Sequence, residues 1–397
     1  MDTLFEKSFK KITAASLDFV RSVMGEVAWD ARLVGIRGAR GVGKTTLLLQ
    51  HMKQNLTLGT ASLYVSLDDI WFAEHKLVDL AEMFVKRGGK LLLLDEVHKY
   101  PNWAQELKNI YDDHATLQVV FTGSSLLEIL NARADLSRRA VMYEMQGLSF
   151  REYLNITQKT DFPVVSLGDI LKNQLEISKA VAAKIRPLQF FGSYLKMGYY
   201  PFFREMPSLY YDKIEEVVNM ILEVELPLLR GVDVAYVYKI KQLLSIIASS
   251  VPFIPNVSKI GERIGVNRAT LLAYLHYLQE TKLTKNIHKD VAGINKLQKP
   301  EKIYLENTNL AHALAEQNTD IGNMRETFFL NQLAYKHTVE LPSRGDFWVD
   351  KKYLFEIGGK SKSGKQIDGE SNAYIAADNI EYGFDRKIPL WQLGFLY

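Results

Sequence analysis

Residues 38–45 of this 397-residue chain read Gly-Ala-Arg-Gly-Val-Gly-Lys-Thr. That is a full match to G-x-x-x-x-G-K-[ST], and few local patterns restrict a fold so tightly. A phosphate tail needs many N–H donors at close range, and only glycines let a backbone come that near and turn that sharply. The expected phosphate-binding set is Gly38, Ala39, Arg40, Gly41, Val42, Gly43, Lys44, Thr45 and Thr46. Lys44 supplies a mobile ammonium for the β/γ-phosphates, and Thr45 a hydroxyl for Mg²⁺. Leu33-Val34-Gly35-Ile36 reads as a short apolar strand directly before the loop, and Thr46-Leu47-Leu48-Leu49-Gln50 begins a helix after it. The positive end of that helix faces the phosphates. This strand–loop–helix context separates the segment from a glycine-rich turn that binds nothing.

The rest of the chain must supply a sheet around that strand. Its length is too great for one ordinary core and implies two or three domains. Hydrophobic residues make up 47% and charged residues 24%, the balance of a soluble globular protein. No apolar run approaches the roughly 18 residues of a membrane span, so no membrane partner is expected. Asp2, Glu6, Lys7, Lys10 and Lys11 interrupt the N-terminus and exclude a secretory signal. The absence of cysteine excludes disulfides, thiolate metal sites and cysteine nucleophiles, and fits a reducing cytoplasm. A net charge of +3 is nearly balanced, so any nucleic-acid contact must come from local clustering.

Residues 1–155 alternate short apolar runs with helical patterns, the signature of a parallel α/β sheet. Strands are expected near 32–36, 62–67, 90–95, 117–122 and 140–145, with helices near 76–86 and 103–114. Residues 1–25 read as an amphipathic helix pair on the sheet edge. The strand signal disappears over 156–250, a helical connector with an aromatic stretch at 198–203. Residues 251–302 have helix-turn-helix punctuation, and 303–397 return to mixed strands and helices.

A phosphate loop only binds; hydrolysis needs a metal acid and a base. Asp95 and Glu96 follow the run Leu91-Leu92-Leu93-Leu94. Asp95 is placed to hold Mg²⁺ beside Thr45, and Glu96 to polarise an attacking water. One strand, 62–67, intervenes between loop and acids. The next strand ends in Phe121-Thr122-Gly123-Ser124-Ser125, where Thr122 or Ser124 could bond the γ-phosphate or the water, or serve only turn chemistry. Arg138 and Arg139 read either as an arginine finger on a neighbouring subunit's nucleotide or as a solvated pair. His98 reads as a capping or surface residue.

Residues 38–45, Asp95-Glu96-Val97-His98-Lys99-Tyr100-Pro101-Asn102-Trp103, Thr122-Gly123-Ser124-Ser125 and Leu148-Ser149-Phe150-Arg151-Glu152-Tyr153-Leu154 together resemble the prokaryotic AAA+-type P-loop ATPases. The resemblance is greatest to the subgroup with a C-terminal domain of unknown function and a restriction-endonuclease-like core, and covers nearly the whole chain. It implies ATP as the nucleotide and a five-stranded sheet. The expected fold is thus α/β, an ASCE-type parallel sheet followed by helical, winged-helix and α+β endonuclease-like domains. The subgroup's Gly-Arg after the short helix appears here as Ser137-Arg138-Arg139.

In the helix-turn-helix stretch, Asn267 suits an N-cap and Leu271, Leu275 and Leu278 form an apolar stripe. Thr270 and Tyr277 then face outward, with Arg268 and Tyr274 on the flanks, where a recognition helix meets DNA. Residues 258–302 hold nine Lys/Arg against four Asp/Glu, which favours DNA; the same module could serve interdomain packing alone. In the tail, Asp346 and Glu356 resemble the PD-(D/E)XK metal ligands. The lysine expected two residues later is Gly358, with Lys360 and Lys362 as the cations that could reach in. A non-cleaving core is expected. The whole reads as an ATP- and Mg²⁺-dependent switch or remodeller acting with DNA, a protein partner or further copies of itself. The alternative is a nucleotide-regulated scaffold with negligible turnover and no DNA contact.

Overall fold

A computed structural model describes residues 1–55, 60–123, 136, 138–250, 252–289, 299–315 and 320–397. The chain divides into two compact units, Met1–Gly147 and Leu148–Tyr397. Among the described residues no helix is long and apolar enough to cross a membrane.

In the first unit, α1 (Asp2–Ala14) precedes β1 (Leu33–Arg37), α2 (Lys44–Asn55), β2 (Ser62–Ser66), α3 (Leu77–Lys86), β3 (Leu91–Asp95), α4 (Trp103–Asp113), β4 (Gln118–Gly123) and β5 (Val141–Glu144). The five strands form one sheet in the order β2-β3-β4-β1-β5, and every pair is parallel. All five residues of β3 are buried, as expected of a strand covered on both faces. Leu63, Leu92, Leu94, Val119 and Phe121 pack with Leu80, Phe84 and Leu107 in one apolar core. Gly35 lies mid-strand because any Cβ there would run into Phe121 and Met142 of the neighbouring strands.

One expectation is corrected here. Residues 1–25 form one amphipathic helix and a 3-10 turn, Ser22–Gly25, rather than a helix pair. As expected, β2 lies between the loop and the acid strand along the chain, while in the sheet it is β4 that lies between β1 and β3. β2 lies outside at the edge, because β4 returns between β1 and β3.

The second unit opens with a run of helices: α5 (Phe150–Gln158), α6 (Leu167–Ala182), α7 (Pro187–Met197), α8 (Tyr210–Met220), α9 (Leu226–Arg230) and α10 (Val234–Ala248). A capping box between Ser149 and Glu152 starts α5. Next come α11 (Val257–Ile264), α12 (Arg268–Glu280) and an antiparallel pair, β6 (Thr284–Ile287) with β7 (Lys302–Leu305). Gly265, left-handed at φ 65, ends α11, and the Asn267 side chain caps α12. After α13 (Thr308–Leu314) and α14 (Ile321–Leu333), a mixed sheet runs β12-β11-β10-β9-β8. Its strands are β8 (Val339–Glu340), β9 (Phe347–Val349), β10 (Tyr353–Gly358), β11 (Ala373–Ala377) and β12 (Lys387–Pro389).

Candidate functional site

β1 delivers the glycine loop to the carboxyl end of the sheet, and α2 begins at Lys44. Each glycine of the motif has a backbone reason. A Cβ on Gly38 would run into the carbonyl of Met145. Gly41 and Gly43 adopt φ of 83 and 98, which side chains disfavour. Lys44 is buried, and its Nζ donates to the carbonyls of Gly38 and Ala39, both at 2.8 Å.

Asp95 is the hub of the site. It is 2% exposed, and Thr45 Oγ1 donates to its Oδ2 at 2.7 Å. The Tyr64 hydroxyl donates to the same oxygen at 2.8 Å. Thr122, on β4 between loop and acid strand, donates to Oδ1. Burial, and then the Asp95 charge, hold the Tyr64 phenol far above its ordinary range, so it stays a donor. Thr45 and Asp95 therefore offer a hydroxyl and a carboxylate side by side, the hard-oxygen donors that suit Mg²⁺.

Glu96 takes φ 55 immediately after the strand. A non-glycine residue in the left-handed region costs on the order of 1 kcal/mol. Its N–H donates to Thr122 Oγ1 at 3.3 Å, which fixes the turn. The carboxylate lies 3.6 Å from Lys99 Nζ and 3.7 Å from His98 Nε2. Lys99 also pairs with Asp68 at 2.9 Å. His98 is not a surface residue: its side chain is 6% exposed. Burial, then the Lys44 charge, push its pKa down to about 3. The 3-10 turn Val97–Lys99 carries that ring inward.

The remaining expected residues are dispersed. Ser124 and Ser137 lie outside the described residues. Arg139 forks onto Asp112, Nε to Oδ1 and Nη2 to Oδ2 both at 2.9 Å, within its own chain. Arg138 is exposed. In the second unit Arg268 is exposed and Thr270 and Tyr277 are half-buried. Tyr274 is corrected: it is 5% exposed. Three residues after Leu271 and four before Leu278, it belongs to the apolar face of α12.

In the tail, Asp346 Oδ2 accepts from the Ile357 N–H at 2.6 Å. Lys362 Nζ lies 2.9 Å from Glu356 Oε1. Its stem fills the space a side chain on Gly358 would take, with Cδ 2.7 Å from that Cβ position. Lys360 is exposed.

Sequence reasoning missed two residues. Tyr64 shares a sheet face with Ser66, the register partner of Asp95, and a phenol on a strand beside an acid strand was the available signal. Arg21 is buried and donates to the carbonyls of Val42 at 3.0 Å and of Gln146 and Gly147 at 2.9 Å. No local pattern marks it.

Residues 30–154 match the family model of an AAA domain, and residues 189–321 that of a domain of unknown function. An uncharacterized protein of Methanocaldococcus jannaschii is 28% identical over 387 residues, covering 90% of this chain and 81% of the relative. Among solved structures, the Walker-type ATPase PABY2304 of Pyrococcus abyssi is 11% identical with a TM-score of 0.41, over 78% of this chain and 95% of that one. The Aeropyrum pernix ORC1 protein, solved in complex with DNA, is 16% identical with a TM-score of 0.32, over 78% and 92%. At those TM-scores neither overlap carries functional weight. The strand order and the loop give the first unit the parallel sheet of a P-loop NTPase, and residues 30–154 are similar to the AAA domain.

Proposed function

We propose that the chain is an ATP- and Mg²⁺-dependent ATPase that works as a molecular switch or remodeller, coupled through its second unit to DNA or a protein partner. One observation carries the hydrolytic reading. A continuous set of hydrogen bonds runs from Thr45 through Asp95 and Thr122 to the backbone of Glu96. The metal hydroxyl, the metal acid and the base thus share one framework.

When bound, Mg–ATP supplies the phosphoryl group and a Lewis acid for its developing charge. The loop amides from Gly38 to Thr46 and the Lys44 ammonium hold the phosphates, and Thr45 and Asp95 would hold the metal. Glu96 accepts a proton from the attacking water. Thr122 acts through Asp95 and Glu96, which makes it a positioning residue. Arg138, exposed on its own chain, is the better finger toward a second copy, because Arg139 is engaged by Asp112.

In the second unit, helix, left-handed glycine turn, helix and two-stranded sheet support the winged-helix reading, and with it DNA as partner through Arg268, Thr270 and Tyr277. The tail sheet is endonuclease-like but non-cleaving, since Lys362 engages the Glu356 carboxylate. A cysteine-free chain suits the cytoplasm.

ATP turnover of the full chain, with and without DNA, tests the reading. Lys44→Ala loses ATP binding. Glu96→Gln binds ATP and turns over about a hundredfold more slowly, the scale of a lost general base. Equal turnover in wild type and Glu96→Gln refutes the base, and negligible wild-type turnover with no DNA binding favours the scaffold alternative.

A further inference from the structure

Around the glycine turn of the second unit, several basic side chains lie without an acid. Other basic side chains of the unit meet one: Arg230 bonds Glu280 at 2.6 and 2.7 Å, Lys213 meets Glu205 at 3.0 Å, and Lys241 pairs with Glu223. Lys239 of α10, Lys259 and Arg263 of α11, and Arg268 of α12 meet no carboxylate among the described residues. The last three are exposed. Asp233, the acid nearest in sequence to Lys239, spends its carboxylate capping α10.

Lys239 also joins two kinds of surface. Its Nζ donates to the Gly265 carbonyl at 2.6 Å, which pins the first turns of α10 to the turn between α11 and α12. The same Nζ lies 5.5 Å from the centre of the Tyr236 ring and 6.0 Å from that of Tyr238. Those rings are 47% and 55% exposed, beside Val234 at 68%. Exposed aromatic rings interleaved with uncompensated cations have the chemistry of a base-stacking platform along a phosphate backbone.

We propose that this ledge binds single-stranded nucleic acid, with Tyr236 and Tyr238 stacking on unpaired bases and Lys239, Lys259, Arg263 and Arg268 holding phosphates. The inference rests on the reading of DNA as partner and narrows it. A paired duplex hides the π faces that the two rings need. The groove-reading alternative is weakened in turn by Tyr274, whose ring is buried beneath α12 rather than presented from it. A protein partner would leave the four cations without a stated counter-charge, whereas a phosphate backbone supplies one at every nucleotide.

Fluorescence anisotropy with the full chain, a labelled oligothymidylate and a labelled duplex of mixed sequence tests it. The expected result is tighter binding of the single strand, falling steeply with salt. Stacking is worth about 1–3 kcal/mol per base, so Tyr236→Ala/Tyr238→Ala weakens that binding by at least about tenfold. Tyr236→Phe/Tyr238→Phe restores it, because stacking uses the ring and not the hydroxyl. Thermal unfolding of each variant shows whether it is folded. Undiminished single-strand binding by a folded alanine double variant overturns the proposal, as does a wild type that does not bind the single strand. If the duplex binds, Arg268→Ala abolishes that binding and the alanine double variant does not alter it, DNA remains the partner and this ledge is refuted. If neither nucleic acid binds, both readings fall, while ATP turnover of the wild type tests the nucleotide site separately.

Discussion

Removing Arg21 should loosen the phosphate loop without touching any residue of its motif. The guanidinium is 8% exposed and donates to the loop carbonyl of Val42 and to the carbonyls of Gln146 and Gly147, just beyond β5. One side chain thus ties the loop to the strand that closes the sheet. A buried hydrogen bond from a charged donor contributes about 1.5–3 kcal/mol, and a carbonyl left unsatisfied costs about 1–3 kcal/mol. Part of that gain offsets the several kcal/mol needed to bury a guanidinium, so the three bonds together should contribute about 3 kcal/mol net. Arg21→Met, which keeps much of the stem volume, should lower the stability of the first unit by that amount in urea denaturation. Freed at Val42, the loop should bind a fluorescent ATP analogue about tenfold more weakly, a cost of about 1.4 kcal/mol. Arg21→Lys, with one ammonium for three carbonyls, should fall between the two. If Arg21→Met lies within about 0.5 kcal/mol of wild type, the range of an ordinary surface substitution, and binds the analogue equally well, then Arg21 does not position the loop.

Two further outcomes follow from buried ionisable groups. His51, on α2, stacks on Trp29 with ring centres 3.7 Å apart, and burial lowers its pKa from 6.5 to about 4. The unfolded chain therefore takes up a proton below pH 6.5 that the folded chain refuses until about pH 4. Stability from this group is fully present above 6.5, declines by about 1.4 kcal/mol per pH unit below it and levels off below the folded value. The first unit should lose about 2 kcal/mol by about pH 5, and His51→Phe should flatten that slope in denaturation series; an unchanged slope refutes the assignment. In the tail, Lys362→Met leaves Glu356, whose side chain is 3% exposed, without its cation. It should cost about 3–5 kcal/mol, whereas Glu356→Gln/Lys362→Met should cost far less. Equal losses in the two variants would show that the pair is not coupled, and metal-dependent DNA nicking that Glu356→Ala abolishes would overturn the non-cleaving reading.

The parts of the site that were legible in sequence are those whose chemistry is local. Three glycines, a lysine and a threonine at fixed spacing must sit on one turn, and a run of four leucines before two acids must be a covered strand. Those constraints place Thr45 and Asp95 at the carboxyl end of the sheet whatever the rest of the chain does. Thr122 was only half legible: the sequence put a hydroxyl at a strand tip, but its bond to Asp95 depends on β4 returning between β1 and β3. Arg21 was invisible because its partners are carbonyls, which carry no side-chain identity. Tyr274 was misplaced because an aromatic ring beside a leucine stripe fits either edge of a helix, and packing against the rest of the unit decides which. His98 was misplaced for a related reason: the chain after β3 turns through a left-handed Glu96, a conformation that no residue type there announces.

That turn also explains why the hydrolytic framework should respond as a unit. Asp95 Oδ2 accepts from both Thr45 and Tyr64. Its Oδ1 accepts from Thr122, whose own oxygen accepts from the Glu96 N–H. Removing the Thr122 hydroxyl therefore frees one carboxylate oxygen and the amide that steadies the strained turn at Glu96. Removing the Tyr64 hydroxyl leaves Thr45 as the remaining side-chain hydroxyl donor on Oδ2. Bonds that share one acceptor residue polarise and orient one another, and their deletions do not add. The loss from Thr122→Val together with Tyr64→Phe should then differ from the sum of the single losses. The asymmetry comes from the side chains: β4 and β2 both flank β3, but Thr122 of β4 bonds Asp95 and the Glu96 N–H, whereas Tyr64 of β2 bonds Asp95.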